Sequence, residues 1–148
     1  MLDDGGPGPE VGRRLGYLLK HAQARLGDLY EQALATFDVD VRELGVLMLL
    51  GSHEPASQQQ AAARLGVDRT SMVAVLDALE AKGYASRRPD AADRRRNVVQ
   101  LTAAGREVLL AGAAASEQAE RALLAPLGPA EAERFRQALR RVAQDRLR

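Results

Sequence analysis

The chain has 148 residues, of which 46% are hydrophobic and 28% are charged, and its formal net charge is +1. This composition is typical of one folded domain with a single core. The absence of cysteine excludes disulfides, thiol redox chemistry and thiolate zinc sites. Residues 1–10 lack the basic start and apolar run of a signal peptide, and no stretch approaches the roughly 18 apolar residues of a membrane span. We therefore expect a cytoplasmic protein with no membrane association and a flexible tail over residues 1–10.

The apolar residues are of types that favour helices over strands. The chain has 27 Ala and 22 Leu but no Ile and no Trp, and Ala and Leu have high helix propensity. Arg outnumbers Lys by 19 to 2, which fits either a compositional bias of the coding sequence or selection for phosphate contacts. We predict a mostly helical protein.

Residues 11–37 have the apolar spacing of one long helix. Val11, Leu15 and Leu18 begin a stripe that recurs at three- and four-residue steps as far as Phe37. Such a helix is about twice as long as the average globular helix of about 11–12 residues. This length in a small protein favours packing against a second chain as well as its own.

Three capping motifs divide the middle of the chain into helices. They are Asp40 with Glu43, Ser57 with Gln60, and Asp68. The second motif opens a short helix and the third a longer one, and the turn Gly66-Val67-Asp68 between them has the spacing of a helix-turn-helix. A plain helical hairpin with a polar outer face has the same spacing, so the pair alone leaves both interpretations open.

The longer helix of this pair has two distinct faces. Steps of 100° place one set of residues on a core side, namely Met72, Val75, Leu76 and Leu79, and another set outside, namely Thr70, Ala74, Asp77 and Ala81. The outer set begins at the helix N-terminus, where backbone N–H groups attract phosphate and where a recognition helix meets base edges.

A predicted β-hairpin with basic residues follows the helix pair. Residues 84–88 and 97–101 have extended character, and a polar segment rich in turn residues joins them. Five arginines crowd into residues 84–97, namely Arg87, Arg88, Arg94, Arg95 and Arg96. A charge run can be just a solvated face, but a hairpin directly after a helix-turn-helix is a wing. Its arginines can reach phosphates or a narrow minor groove.

Four stretches carry a resemblance to a known family. They are Leu65-Gly66-Val67-Asp68-Arg69-Thr70-Ser71, Leu76-Asp77-Ala78-Leu79-Glu80-Ala81-Lys82-Gly83, Arg87-Arg88-Pro89-Asp90 with Asp93-Arg94-Arg95-Arg96, and Val99-Gln100-Leu101-Thr102-Ala103-Ala104-Gly105. Together they resemble the MarR family of winged-helix transcriptional regulators, closely over residues 57–105. The resemblance implies a mostly α fold with a small β-hairpin wing. It implies a winged helix-turn-helix over 38–102, flanked by long dimerisation helices over 11–37 and 103–148.

The resemblance also implies what the protein binds. In this family a homodimer places two helix-turn-helix units and two wings on a palindromic double-stranded DNA operator. A small aromatic or phenolic ligand then releases the DNA, so we expect a sequence-specific, ligand-responsive repressor.

Site residues follow from the family by position. The wing motif Asp-x-Arg falls on Asp93, which would brace the wing by ion pairing, and on Arg95, which would enter the minor groove. Val73 and Ala74 depart from the Thr and Arg that are common in the family, which leaves thymine methyl contacts as their available role. The full predicted DNA-contacting set is Ser57, Arg69, Thr70, Ser71, Val73, Ala74, Arg88, Arg94, Arg95 and Arg96.

Residues 103–148 contain two predicted helices. Thr102 caps the first, which reaches about Leu124, and a Pro- and Gly-containing segment separates it from the last. The last helix carries Phe135, Leu139, Val142 and Leu147. Alanines over 111–115 allow close helix contact at an intersubunit seam, although plain alanine bias explains them equally well.

Six residues are candidates for a ligand site at the junction where the family binds aromatic acids. They are Tyr17, His21, Arg25, Tyr30, Met48 and His53. Core packing or a structural hydrogen bond is the alternative for each. No constellation suited to catalysis, metal or cofactor binding is present, so we expect no enzyme. The alternative function is a winged-helix dimer that binds a protein partner, which the apolar Val73 and Ala74 favour and the basic wing opposes.

Overall fold

The computed structural model describes residues 6–52 and 56–145. Within them the elements are α1 (Pro9–Gly12), α2 (Leu15–Leu34), α3 (Val41–Ser52), β1 (Ala56–Ser57), α4 (Gln58–Leu65), α5 (Arg69–Ala81), β2 (Ala85–Pro89), β3 (Asn97–Leu101), α6 (Ala103–Leu124) and α7 (Pro129–Gln144). The chain divides into two compact units, one of Met1–Leu29 with Gln118–Arg148 and one of Tyr30–Glu117. The predicted mostly helical fold with a β-hairpin wing is confirmed.

The unit Tyr30–Glu117 contains a winged helix-turn-helix. Its helices α4 and α5 form the predicted pair, and β2 and β3 form the predicted antiparallel hairpin, with Arg87 opposite Val99. The strand β1 also pairs with β3, in the order β1, β3, β2, which the sequence did not reveal because a two-residue strand has no periodicity. The core lies between the helices and the sheet, where Leu47, Leu79 and Val99 are fully buried.

The three predicted capping motifs are confirmed. Asp40 N donates to Glu43 Oε1 at 3.2 Å while Glu43 N donates to Asp40 Oδ1 at 2.8 Å. Ser57 and Gln60 exchange the same pair of bonds at 3.1 and 3.2 Å. Since each motif satisfies backbone N–H groups that the first helical turn leaves unpaired, it fixes the start of its helix.

The single helix predicted over residues 11–37 is wrong. Helix α1 ends at Gly12, a residue of low helix propensity, and α2 begins at Leu15. At its other end α2 stops at Leu34, and Phe37 lies in the following turn, where its N–H donates to the Leu34 carbonyl at 2.9 Å. Leu34 and Val39 are both buried, so the chain turns between them to begin α3.

The flexible tail predicted over residues 1–10 is wrong at its C-terminal end. Pro9 and Glu10 belong to α1, because proline suits the first helical position and an acidic side chain is favourable in the first turn. Residues 1–5 lie outside the described residues.

Helix α6 has the predicted bounds, whereas α7 begins at Pro129 and ends at Gln144, before the predicted Leu147. Thr102 Oγ1 accepts from Gly105 N at 3.0 Å, which caps α6, and donates to the Gly83 carbonyl at 2.6 Å. Helix α7 keeps apolar side chains exposed at Phe135 and Val142. Leu147 lies outside the described residues. In the part of the chain that the structure describes, no helix has the length and apolar character to cross a membrane.

Candidate nucleic-acid interface

The N-terminus of α5 is capped by Asp68 and is exposed to solvent. Ser71 N donates to Asp68 Oδ1 at 2.8 Å, and Ser71 Oγ donates to Asp68 Oδ2 at 2.7 Å. These bonds lower the pKa of the Asp68 carboxyl, with the Ser71 side chain contributing most. Arg69 and Thr70 are exposed in the first turn. The Ser71 hydroxyl already donates its hydrogen, so toward DNA it is left as an acceptor.

The two predicted faces of α5 are confirmed. Met72, Leu76 and Leu79 are buried in the core. Ala74 is exposed on the opposite side and Val73 is half-buried at the flank. A short apolar stretch therefore follows the polar first turn on the outer side of the helix.

The tip of the wing is a turn that two aspartates organise. Asp90 N donates to the Arg96 carbonyl at 2.8 Å, which closes the loop between β2 and β3. Asp93 Oδ1 accepts from Arg95 N at 3.1 Å, and its carboxylate lies 3.6 Å from Arg95 Nε and 3.8 Å from Arg96 Nε. The Arg95 side chain is nevertheless 95% exposed. The turn thus projects three consecutive arginines, Arg94 to Arg96, into solvent.

Arg87 does not belong with the arginines of the tip. The prediction that all five arginines of residues 84–97 form one basic surface of the wing is therefore wrong for Arg87. Its guanidinium pairs with Asp77 and Glu80 of α5. Side chains alternate between the two faces of a strand, so Arg87 shares the core-facing side of β2 with Ala85. Arg88 lies on the other face and is exposed.

The C-terminal end of α5 is anchored by an ion pair. Lys82 Nζ donates to Glu43 Oε2 at 2.7 Å and to the Asp38 carbonyl at 2.9 Å. The Glu43 side chain is only 9% exposed and that of Lys82 27%. The hydrogen bond to Glu43 raises the pKa of the Lys82 ammonium. Lys82 therefore ties the end of α5 to the start of α3.

Replacing Lys82 by Met is expected to lower the free energy of unfolding by about 1–2 kcal/mol, because the buried Glu43 carboxylate loses its charged donor. Urea unfolding at pH 7 measures this, with Lys20→Met on the exposed side of α2 as the control. Since the pKa of the Lys82 ammonium in the folded protein lies above its usual value of 10.5, the contribution to stability is complete below about pH 10.5 and is lost as the pH rises through the folded pKa. Equal free energies of unfolding for the Lys82→Met and Lys20→Met variants at pH 7 would contradict this account.

The candidate ligand residues are divided between the two compact units. Tyr17 and His21 on α2 have ring centroids 4.0 Å apart, and Arg25 lies one turn further along and is exposed. Tyr30 is half-buried and Met48 is exposed, both in the other unit. His53 lies outside the described residues. Over 6–52 and 56–145, no group of three His, Asp or Glu side chains could hold a metal ion.

A cleft that the sequence did not indicate opens beside the turn of the helix-turn-helix. Its volume is about 410 Å³, and Val41, Leu65 and Val67 form much of its apolar wall. The six candidate ligand residues are not among those that line it. The cleft forms from segments that are separate in the chain, so no local pattern predicts it.

The capped helix pair, the small sheet and the arginine-bearing turn define a winged helix-turn-helix protein of the DNA-binding class. The family profile of MarR matches residues 37–96. The transcriptional repressor CouR, solved bound to a 23-mer DNA duplex, is 30% identical. The match covers 97% of this chain and 99% of that one, with a TM-score of 0.87. The chain belongs to the MarR family of transcriptional regulators.

Two further relatives are similar over most of this chain. A MarR family protein from Mycobacterium tuberculosis, solved in complex with DNA, is 27% identical over 87% of this chain and 97% of that one, with a TM-score of 0.75. The repressor NicR from Pseudomonas putida is 27% identical over 68% of this chain and 63% of its own length. The chain spans less than two thirds of the length of the curated relatives it matches.

Proposed function

We propose that this chain is a ligand-responsive transcriptional repressor that binds a palindromic DNA operator as a homodimer. The observation that carries the proposal is the pairing, in one compact unit, of a capped helix with an exposed N-terminus and a wing tip that projects three arginines. A helix N-terminus and exposed guanidinium groups both favour phosphate, and the helix fits a major groove. Residues 38–102 serve DNA binding in this proposal.

The proposed dimer uses the helices of residues 11–37 and 103–148. Exposed apolar side chains support it, namely Val11, Leu15, Leu18, Leu19, Phe135, Leu139 and Val142. Surfaces of this kind on a small protein mark sites of association. A second copy of the chain supplies the matching surface, and twofold symmetry matches a palindromic operator.

The remaining parts of the proposal follow from family membership. A small aromatic or phenolic ligand would release the operator, and Tyr17 with His21 is the candidate contact, because the two neighbouring rings offer an aromatic surface. The proposed compartment is the cytoplasm, where the operator lies. We assign the protein no catalytic activity, since the relatives it matches are regulators.

Electrophoretic mobility shift and light scattering test the proposal together. The probe is the promoter region next to the gene of this chain, and a duplex pool with randomised centres serves to select the operator. We expect a shift at nanomolar protein and a dimeric mass at micromolar concentration. A monomeric mass would overturn the dimer, and the absence of any selected duplex would overturn operator binding.

A protein-binding winged helix is the second candidate function. The apolar Val73 and Ala74 in the middle of α5 favour it, because a protein surface tolerates apolar contacts better than phosphates do. The exposed arginine tip opposes it. The same selection experiment separates the two functions, since a protein-binding module would enrich no sequence.

Arg69→Ala is expected to weaken operator binding by about 1–3 kcal/mol and random DNA only slightly, if the guanidinium reads guanine in bidentate fashion. Arg69 is the first residue of α5 and is exposed, and Val73 and Ala74 cannot form hydrogen bonds to bases. Fluorescence anisotropy with the selected duplex and with a scrambled one measures both affinities. Equal losses of affinity for the two duplexes would mean that Arg69 contacts phosphate only.

Arg95→Ala is expected to reduce binding to operator and random DNA alike, and to lower the slope of log affinity against log salt by about 0.9. The reason is that the exposed Arg95 guanidinium replaces one counterion at the DNA. Arg106→Ala on α6 is the control, since it lies outside the predicted DNA-contacting set. An unchanged affinity with an unchanged slope would show that the wing tip does not touch DNA.

A further inference from the structure

The side chain of Arg87 joins three elements of the winged-helix unit. From β2, its Nη2 donates to Asp77 Oδ1 and its Nε donates to Glu80 Oε2 at 3.3 Å, both on α5. Its Nη1 donates to Gln58 Oε1 on α4 at 3.0 Å. The Arg87 side chain is 17% exposed. All three of its nitrogens are therefore engaged by the two helices of the helix-turn-helix.

We propose that Arg87 is a positioning residue for DNA recognition, which fixes the wing strand β2 against the recognition helix α5. The wing tip and the helix must engage one stretch of DNA together, so their relative placement has to be set before binding. The inference rests on the proposed function, because only a DNA-binding unit needs both elements in register.

The place of Arg87 along the hairpin makes it the outermost anchor of the wing. Burial falls along β2 from the buried Ala85 to the exposed Pro89. Val99, the partner of Arg87 across the hairpin, is fully buried, whereas Asn97, the partner of Pro89, is exposed. Beyond the pair of Arg87 and Val99 no residue of the hairpin is buried, although Val98 is half-buried and pairs with Ser57 of β1.

The same contacts mask the negative charge of the recognition helix. Asp77 and Glu80 are the acidic residues of α5, and both are paired with Arg87. Two unpaired carboxylates on a DNA-binding helix would repel the phosphate backbone. The hydrogen bond to Asp77, and then the one to Glu80, raises the pKa of the Arg87 guanidinium.

Lysine cannot reproduce this arrangement although it keeps the charge. A guanidinium presents a planar fork of five donors, whereas an ammonium is a single point on a flexible stem. One ammonium group cannot reach two carboxylates and an amide on two helices at once. Arg87→Lys therefore separates a positioning role from a simple phosphate contact, for which lysine would suffice.

The test compares Arg87→Lys with Arg106→Lys, a matched control in an exposed arginine of the same unit. On the duplex selected by the wild type, Arg87→Lys is expected to weaken binding by about five- to thirtyfold, and Arg106→Lys by less than about twofold. In the DNA-free protein, amide hydrogen exchange of β2 and β3 is expected to accelerate in Arg87→Lys. Exchange in α3 and in the first turns of α6 is expected to stay at its wild-type rate.

Three results would overturn the proposal. They are an affinity of Arg87→Lys equal to that of the control, a loss of affinity with unchanged exchange in the wing, and faster exchange with unchanged affinity. If Arg87→Lys does not fold, which α3 and α6 exchange would reveal, Gln58→Leu takes its place, because it removes one of the three contacts of Arg87 without changing any charge. If the wild type selects no duplex, the proposed function fails, while the exchange comparison still decides whether Arg87 holds the wing.

Discussion

Inserting five base pairs between the two halves of the selected operator is expected to weaken binding about hundredfold or more. Five base pairs are half a helical turn, so the insertion rotates one half-site to the opposite face of the duplex. Only one recognition helix of a rigid dimer can then dock. The complex loses every base contact of the second half-site, and each of these is worth about 1–3 kcal/mol.

Replacing the central five base pairs without changing their number is the matched control, because it keeps the two half-sites in phase. That duplex should keep most of its affinity, apart from any effect of central stiffness. Titration by fluorescence anisotropy compares the three duplexes at one salt concentration. Equal binding to the original and the lengthened duplex would show that the subunits dock independently.

Gly105→Ala is expected to lower the free energy of unfolding by about 2–3 kcal/mol. A Cβ at Gly105 would collide with the carbonyl oxygen of Tyr84. That carbonyl cannot easily move aside, because it also accepts from Thr102 N at 3.1 Å. The first turn of α6 would have to separate from the connection between α5 and β2.

Gly45→Ala is the control for this substitution. Gly45 lies within α3, and a Cβ there meets nothing within 4 Å, so alanine should stabilise the helix by about 0.5–1 kcal/mol. Urea unfolding followed by circular dichroism measures both variants. A midpoint of Gly105→Ala equal to that of the wild type would contradict the close contact.

The sequence alone predicted the elements whose signals are local. The capping motifs at Asp40, Ser57 and Asp68 act within three residues of the helix start, and Gly66 and Gly83 take the left-handed conformation directly after a helix, with φ of 64° and 79°. Each is decided by a few neighbouring residues, which is why the bounds of α4, α5 and α6 follow from the sequence. The apolar periodicity of α5 likewise predicted which face is buried.

The break in the N-terminal helix was not predicted, because periodicity continues across it. Val11 and Leu15 keep the spacing of one stripe although a helix ends at Gly12 between them. An apolar pattern reports which side of a segment is buried and says little about where the backbone stops being helical. The end at Leu34 depends on burying both Leu34 and Val39, which is a requirement of the tertiary core.

Charged side chains show the same division between local and tertiary information. Five arginines in a short segment predict a basic surface, but the sequence does not say which of them are already paired. Strand alternation and the position of α5 decide that Arg87 meets Asp77 and Glu80, while Arg95 stays exposed. Lys82 and Glu43 pair across 39 residues of chain.

The sequence by itself determined the winged-helix class and its capped helices, because those signals lie between near neighbours. Only the tertiary structure decided which charges reach solvent, because an ion pair depends on distances between elements that are far apart in the chain.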